Sequence, residues 1–289
     1  MPTKGEKDIL TGRETTGHEW DGLRELNTPL PRWWLNVFYA TILFAIVYCV
    51  LFPAVPWITG HTRGLLGNTQ RGQLALDLAE QAKGQSEILA RIGAADLAAI
   101  RTDPDLFAFA VAGGKAAFAD NCVPCHRAGG AGALGYPMLA GDRWLWGGTL
   151  DAIHQTISHG VRNDDPDSRQ SQMPRFGLDG MLTPAQIGDV ADYVRSLSSN
   201  SGPAEAGSRG AAIFKENCAV CHGENGKGNH EVGAPDLTAK ISLYGSDRAT
   251  VVDVVTRARA GSMPSWSRRL DPITIKMLTI YVHSLGGGQ

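Results

Sequence analysis

Cys-x-x-Cys-His occurs twice, at Cys122-Val-Pro-Cys125-His126 and at Cys218-Ala-Val-Cys221-His222. Two thiols one helical turn apart can add across two vinyl groups on one edge of a porphyrin. The adjacent imidazole is then held beneath the ring as an axial ligand to iron, the signature of covalent c-type haem attachment. A single Cys-x-x-Cys would also suit zinc or a redox dithiol. The full five-residue motif twice, in a chain whose one other cysteine is Cys49, points to two haems. Cys49 sits in an apolar run and reads as a small buried hydrophobe.

His126 and His222 are the expected proximal ligands. A haem that carries electrons without binding small molecules needs a soft, neutral sixth ligand, and thioether sulfur raises the potential by favouring ferrous iron. Met173 and Met263 are each followed by Pro and then, two residues further, by an aromatic ring (Met173-Pro-Arg-Phe176 and Met263-Pro-Ser-Trp266). Proline fixes a non-helical loop that suits presenting a side chain to a flat face. Met138, Met181 and Met277 have no such counterpart and read as filler. His154 and His159 lie in a segment of helical spacing, where either could bond a haem carboxylate or face solvent. His283 stands where the other repeat has Arg195, His230 sits in a Gly-rich loop, and His18 and His61 flank the apolar run; none is expected to bind iron. No residue pattern indicates a catalytic group.

The elements that must position these ligands form a repeat. Phe118-Ala-Asp-Asn121 before the first motif matches Phe214-Lys-Glu-Asn217 before the second, and Tyr193-Val194 near one end matches Tyr281-Val282 near the other. Leu182-Thr183-Pro184 and Leu270-Asp271-Pro272 each place a capping side chain before proline, so a helix is expected to start at each proline. Each repeat should run helix, haem motif, loop, middle helix, Met-Pro loop, final helix. This order resembles the class I cytochrome c fold, twice, and the fold class expected is mainly α: one N-terminal transmembrane helix followed by two tandem class I cytochrome c domains.

Trp33 to Phe52 is uncharged, and at 1.5 Å per residue a helix of that length spans roughly 30 Å, a bilayer's hydrocarbon thickness. The run starts too far into the chain, and lasts too long, for a cleaved leader. The expected divisions are a cytoplasmic N-terminal segment (1–32), a transmembrane anchor (33–57), a periplasmic helical connector (58–105), cytochrome c domain 1 (106–200) and cytochrome c domain 2 (201–289). Within the connector, Gly72 to Ile92 has amphipathic spacing, and the Ser/Gly/Pro-rich stretch Ser196 to Gly207 reads as a flexible joint. Arg13, Arg24 and Arg32 before the anchor, against Arg63 and Arg71 after it, give too small a bias to set orientation. Haem attachment, which bacteria perform outside the cytoplasmic membrane, sets it instead. With 289 residues, 43% hydrophobic and net charge −2, the chain is neither disordered nor a nucleic-acid binder.

Outside the haem motifs, several stretches are distinctive: Gly17-His-Glu-Trp20-Asp-Gly-Leu-Arg-Glu-Leu-Asn27-Thr-Pro-Leu-Pro31-Arg-Trp-Trp34, Gly135-Tyr-Pro137 with Trp144-Leu-Trp146-Gly-Gly148, and Gly223-Glu-Asn-Gly226-Lys-Gly228-Asn229 with Gly233-Ala-Pro235-Asp-Leu237. On these the whole chain resembles the diheme cytochrome c subunit (subunit III) of cbb3-type cytochrome c oxidases. The resemblance implies electron transfer in low-oxygen respiration. Electrons would pass from a periplasmic cytochrome c through two covalent haems to a monohaem subunit and a haem–copper catalytic subunit, in a bacterial inner membrane. It also implies exchanged axial methionines, Met263 serving the haem at Cys122/Cys125 and His126, and Met173 the haem at Cys218/Cys221 and His222. The residues alone would pair each Met with its own repeat. Two other functions fit the haem motifs: a membrane-anchored shuttle tied to no oxidase, and a diheme peroxidase-like enzyme, which would need one displaceable sixth ligand. Nine acidic against seven basic residues in 106–200, versus eight against ten in 201–289, direct a basic donor to the first domain, with Asp164, Asp165 and Asp167 as the candidate dock.

Overall fold

The computed structural model describes residues 5–198, 209–240, 242–286 and 288. It divides into two compact units, Met1–Gly84 and Gln85–Gln289. In the first, an antiparallel hairpin joins β1 (Thr15–Trp20) to β2 (Leu23–Leu26) across a turn at Asp21-Gly22, where both residues have positive φ. No strand signal in the residue pattern is strong enough to mark this hairpin. Pro29 and Pro31 then separate it from α1 (Arg32–Leu51), which ends at Phe52, whose N–H donates to the Tyr48 carbonyl, just before Pro53. No residue of α1 is buried by protein, and its mean hydropathy qualifies it as a membrane span. Cys49 is accordingly exposed on this helix rather than buried in a protein core. A small hairpin of β3 (Pro56–Trp57) and β4 (Gly60–His61) follows.

The expected connector is helical over α2 (Gln70–Ala94) and α3 (Leu97–Thr102), but its end is part of the haem-bearing unit. Ile92, Ile100 and Leu106 share a core with Ala110, Met277 and Ile280. Lys276 Nζ closes the end of α2 by donating to the carbonyls of Gly93 (2.8 Å) and Ala95 (2.7 Å), a cation on the negative end of a helix. The first haem-motif helix, α4 (Pro104–Asn121), begins two residues before the expected domain boundary because Asp103 caps it. Its carboxylate accepts from Asp105 and Leu106 N–H, with Pro104 at the first helical position.

Short helix α5 (Val123–His126) carries the first motif, and α6 (Leu150–His159), capped by Thr149, is the middle helix. α7 (Pro184–Ser198) starts with a reciprocal box between Thr183 and Gln186. It continues through Ser198, so the start of the expected joint is helical; 199–208 lie outside the described residues. The second repeat supplies α8 (Arg209–Asn217), α9 (Ala219–His222) with the second motif, α10 (Arg248–Arg257) and α11 (Pro272–Leu285). Asp271 caps α11 by accepting from Ile273 and Thr274 N–H.

The hydrophobic cores do not follow the sequence order of 106–200 and 201–289. α11, the last helix of the second repeat, packs on α4 and α6 of the first, while α7 of the first packs on α8 and α10 of the second. One core joins Phe118, Ile153 and Ile157 to Ile275, Leu278, Tyr281 and Val282. The other joins Phe176, Leu182, Ile187 and Val190 to Ile213, Phe214, Cys218 and Val255. Matching aromatic pairs lie at the two crossings, Phe118–Tyr281 with ring centroids 5.3 Å apart and Tyr193–Phe214 at 5.2 Å. Glycine makes each crossing close. A Cβ on Gly114 would come within 2.7 Å of the Met277 carbonyl carbon and of Tyr281 Cβ, and one on Gly210 within 2.9 Å of the Asp189 carbonyl carbon and Tyr193 Cβ.

Candidate haem sites

Each motif begins where a long helix ends. Cys122 and Cys218 donate their backbone N–H to Phe118 (2.9 Å) and Phe214 (2.8 Å), and the chain turns so that Cys125, His126, Cys221 and His222 lie in the short helices that follow. Arg127 and Gly223 then reverse the chain at positive φ. Cys122 is half-buried and Cys218 buried. Burial pushes both thiols up to about 11, with the neighbouring Cys125 and Cys221 adding to the effect. Before haem attachment both are therefore uncharged thiols at neutral pH.

The two histidines are fixed in the same way. His126 Nδ1 donates to the Pro137 carbonyl at 3.0 Å and His222 Nδ1 to the Pro235 carbonyl at 3.1 Å. That bond places the proton on Nδ1 and leaves Nε2 with its lone pair free for a metal. Burial holds both imidazoles below the usual pKa, outweighing the carbonyl bond, so both are neutral as a ligand must be.

The Met-Pro loops follow the exchange of helices. Met263 forms a two-way backbone bridge with Val161 (2.9 and 3.0 Å), and its carbonyl also accepts from Asn163 Nδ2 at 2.7 Å. Three residues on, Trp266 N–H reaches the Ile157 and Ser158 carbonyls at the end of α6, and its ring packs against the core that touches Cys122 and Val123. Met173 packs instead against the core holding Phe214 and Cys218, and Leu178 N–H donates to the Thr256 carbonyl at the end of α10. Thus the Met263 loop is bonded to the first repeat, with Trp266 on the core that Cys122 also meets, and Met173 packs on the core that holds Cys218. Met277 is buried filler between α4 and α11, and Met138 and Met181 are exposed.

The remaining histidines have other occupations. His283 is buried against the Arg101 guanidinium, 2.6 Å from Nδ1. His159 bonds Asp165 at 3.2 Å rather than simply facing solvent. His154 is half-buried near Lys276, and burial lowers its pKa. His18, His61 and His230 are exposed. Asp165 also leaves the expected docking patch. It is buried, accepting from Asp167 N–H at 2.9 Å, and it bonds the Ser265 side chain beside the Met263 loop. Asp164 and Asp167 stay exposed.

Sequence reading missed Trp144. Its ring packs against the first core, as Cys122 and Val123 do, and its Nε1–H is buried with no acceptor among the described residues. A buried, unsatisfied donor costs about 1–3 kcal/mol. On the core that the first attachment site also meets, a haem carboxylate would supply the missing acceptor, so the residues present fit the group. A surface cleft of about 460 Å³, lined by Val220, Cys221, Lys227, Asn229 and His230, opens beside the second attachment site.

Two helical lobes, each joining a Cys-x-x-Cys-His turn to a methionine loop behind one membrane-length helix, define a membrane-anchored diheme c-type cytochrome. Three family models match in succession: the N-terminal domain of cytochrome oxidase-cbb3, FixP, over residues 12–59; cytochrome c over 111–198; and cytochrome c oxidase, cbb3-type, subunit III over 205–282. The chain belongs to the cbb3-type cytochrome c oxidase subunit III family and carries two covalently bound c-type haems. It is 53% identical to the cbb3-type cytochrome c oxidase subunit FixP of Bradyrhizobium sp. over 292 residues, covering 100% of both chains. Subunit CcoP of Azospirillum brasilense is 52% identical over 98% of this chain and 99% of its own, and that of Cereibacter sphaeroides 49% over 100% of both.

Proposed function

We propose that this chain is the electron-entry subunit of a cbb3-type oxidase. It accepts electrons from a periplasmic cytochrome c and passes them to the monohaem subunit and the haem–copper subunit that reduces oxygen. The bound haems supply the one-electron chemistry. The chain supplies two neutral, oriented imidazoles, two thioether donors and the apolar lobes that hold them. The N-terminal segment lies in the cytoplasm, α1 crosses the bacterial inner membrane, and the lobes stand in the periplasm.

Cys122, Cys125, Cys218 and Cys221 attach the haems; His126 with Met263, and His222 with Met173, are the axial pairs. The observation that carries this reading is the crossing of the Met-Pro loops. Met263 is bridged to Val161 of the first repeat, whereas Met173 packs with Cys218 of the second. Full ligation of both irons suits a conduit rather than an enzyme.

Met263→His and Met173→His in the full-length, haem-loaded chain test the assignment. Each is expected to lower one midpoint potential and remove one of two sulfur-to-iron charge-transfer bands, because imidazole favours ferric iron more than thioether does. Magnetic circular dichroism with redox titration reads both. An unchanged spectrum in both variants would refute the ligand assignment. Copurification of a haem–copper oxidase with the tagged chain tests the partnership.

A further inference from the structure

Arg162 sits between the two methionine loops. Its Nε donates to the Gly261 carbonyl at 2.7 Å and its Nη1 to the Ser171 carbonyl at 2.8 Å. Each acceptor lies two residues before a methionine, Gly261 before Met263 and Ser171 before Met173. Arg162 is also held from its own backbone. Its N–H donates to the Arg169 carbonyl (2.9 Å), its carbonyl accepts from Ser262 Oγ (3.0 Å), and its φ is +49°. A positive φ at a long side chain is uncommon and costs energy that the surrounding bonds must supply.

The side chain is half-buried, near Tyr244 and bonded to the two loops. No carboxylate pairs with it among the described residues, so its charge is met by two carbonyl oxygens. A guanidinium is a flat, rigid fork whose donors keep fixed relative directions. Moving one loop therefore drags the fork, and the fork drags the other loop. Bonds from a charged donor are about twice as strong as neutral ones, which makes this link stiffer than an ordinary loop contact.

From this we infer that Arg162 is a positioning residue that sets both axial methionines at once, tying the sixth ligand of one haem to that of the other. The inference rests on Met173 and Met263 being ligands, and adds that one side chain from the first repeat governs both. Asn163 next to it serves one loop alone, donating to the Met263 carbonyl.

The test uses Arg162→Gln and Arg162→Lys in the full-length, haem-loaded chain, each also combined with Met263→His or Met173→His. In either His background, the surviving charge-transfer band reports one loop. Arg162→Gln is expected to weaken that band in both backgrounds. Each methionine-ligated haem should shift toward ferric by about tenfold in its reduction equilibrium, about 59 mV for one electron. Arg162→Lys keeps the charge but has no fork, and is expected to preserve at most one of the two bands. Loss confined to one haem, or lower thermal stability with both bands and potentials intact, would overturn the inference and leave the ligand assignment standing. If the two Met→His variants themselves leave the bands untouched, the assignment falls and the inference with it.

Discussion

The exchange of closing helices can be tested at Gly114. A methyl group there would come within 2.7 Å of the Met277 carbonyl carbon and of Tyr281 Cβ. Ordinary carbon contacts are about 3.5–4.0 Å. The obstacle is backbone and Cβ, which no rotamer change can move, so α4 and α11 must separate by about 1 Å in Gly114→Ala. That loosens the core of Phe118, Leu278, Tyr281 and Val282, including the Phe118–Tyr281 ring pair. Overpacking of this kind costs about 3 kcal/mol. Alanine returns about 1 kcal/mol through its higher helix propensity. The net loss is about 2 kcal/mol, or about 4–8 °C in Tm for a unit of this size. Thermal unfolding of the haem-loaded chain measures the loss. Magnetic circular dichroism of the Met263→His and Met173→His backgrounds shows which haem is affected. The expected result is perturbation of the band due to Met263, because α11 carries the chain away from that loop, with the Met173 band preserved. Unchanged stability, or perturbation of the Met173 band instead, would refute packing of α11 on α4.

Two further outcomes follow from the first lobe. Trp144→Phe should lower the potential of the haem at Cys122/Cys125 if its buried Nε1–H bonds a haem carboxylate, since losing the donor leaves more negative charge to favour ferric iron. If redox titration shows no shift and the variant is more stable, the donor was unsatisfied and the haem-carboxylate reading fails. Asp165→Asn should flatten the acid limb of the Tm-versus-pH curve. Asp167 N–H first, then His159 and Ser265, hold the Asp165 carboxyl below its usual value of about 4. The wild type therefore has this stabilisation above about pH 4 and loses it as pH falls through the lower, folded-state value. Parallel curves for wild type and variant would refute the role given to that carboxylate.

Much of the chemistry was legible in the chain because it depends on local spacing. Cys-x-x-Cys-His needs only one helical turn to bring its three side chains together. Met-Pro-x-aromatic marks a loop through proline's fixed φ, and Thr183 or Asp271 before proline marks a helix start through capping. The apolar length of α1 matches a bilayer with no tertiary information. What spacing could not give was partnership across the fold. Trp144 stood out only as part of a distinctive stretch, and its role shows in an indole N–H buried with no acceptor among the described residues. Asp165 looked like a solvated turn residue until the loop folded it against His159 and Ser265. Arg162 carried no motif at all, since its two acceptors are 9 and 99 residues away.

The sequence by itself determined two haem attachment sites, the four axial candidates, the membrane helix and the family. It could not determine which closing helix covers which haem motif. Both repeats offer the same docking surface, Gly114 with Phe118 and Gly210 with Phe214, and both closing helices offer the same ridge, Tyr281-Val282 and Tyr193-Val194. Residue pattern is therefore degenerate between packing within a repeat and packing across repeats. Only the tertiary structure broke the tie, placing α11 on α4 and α7 on α8, because connectivity and the sum of side-chain contacts around each core are properties of the whole unit and of no local segment.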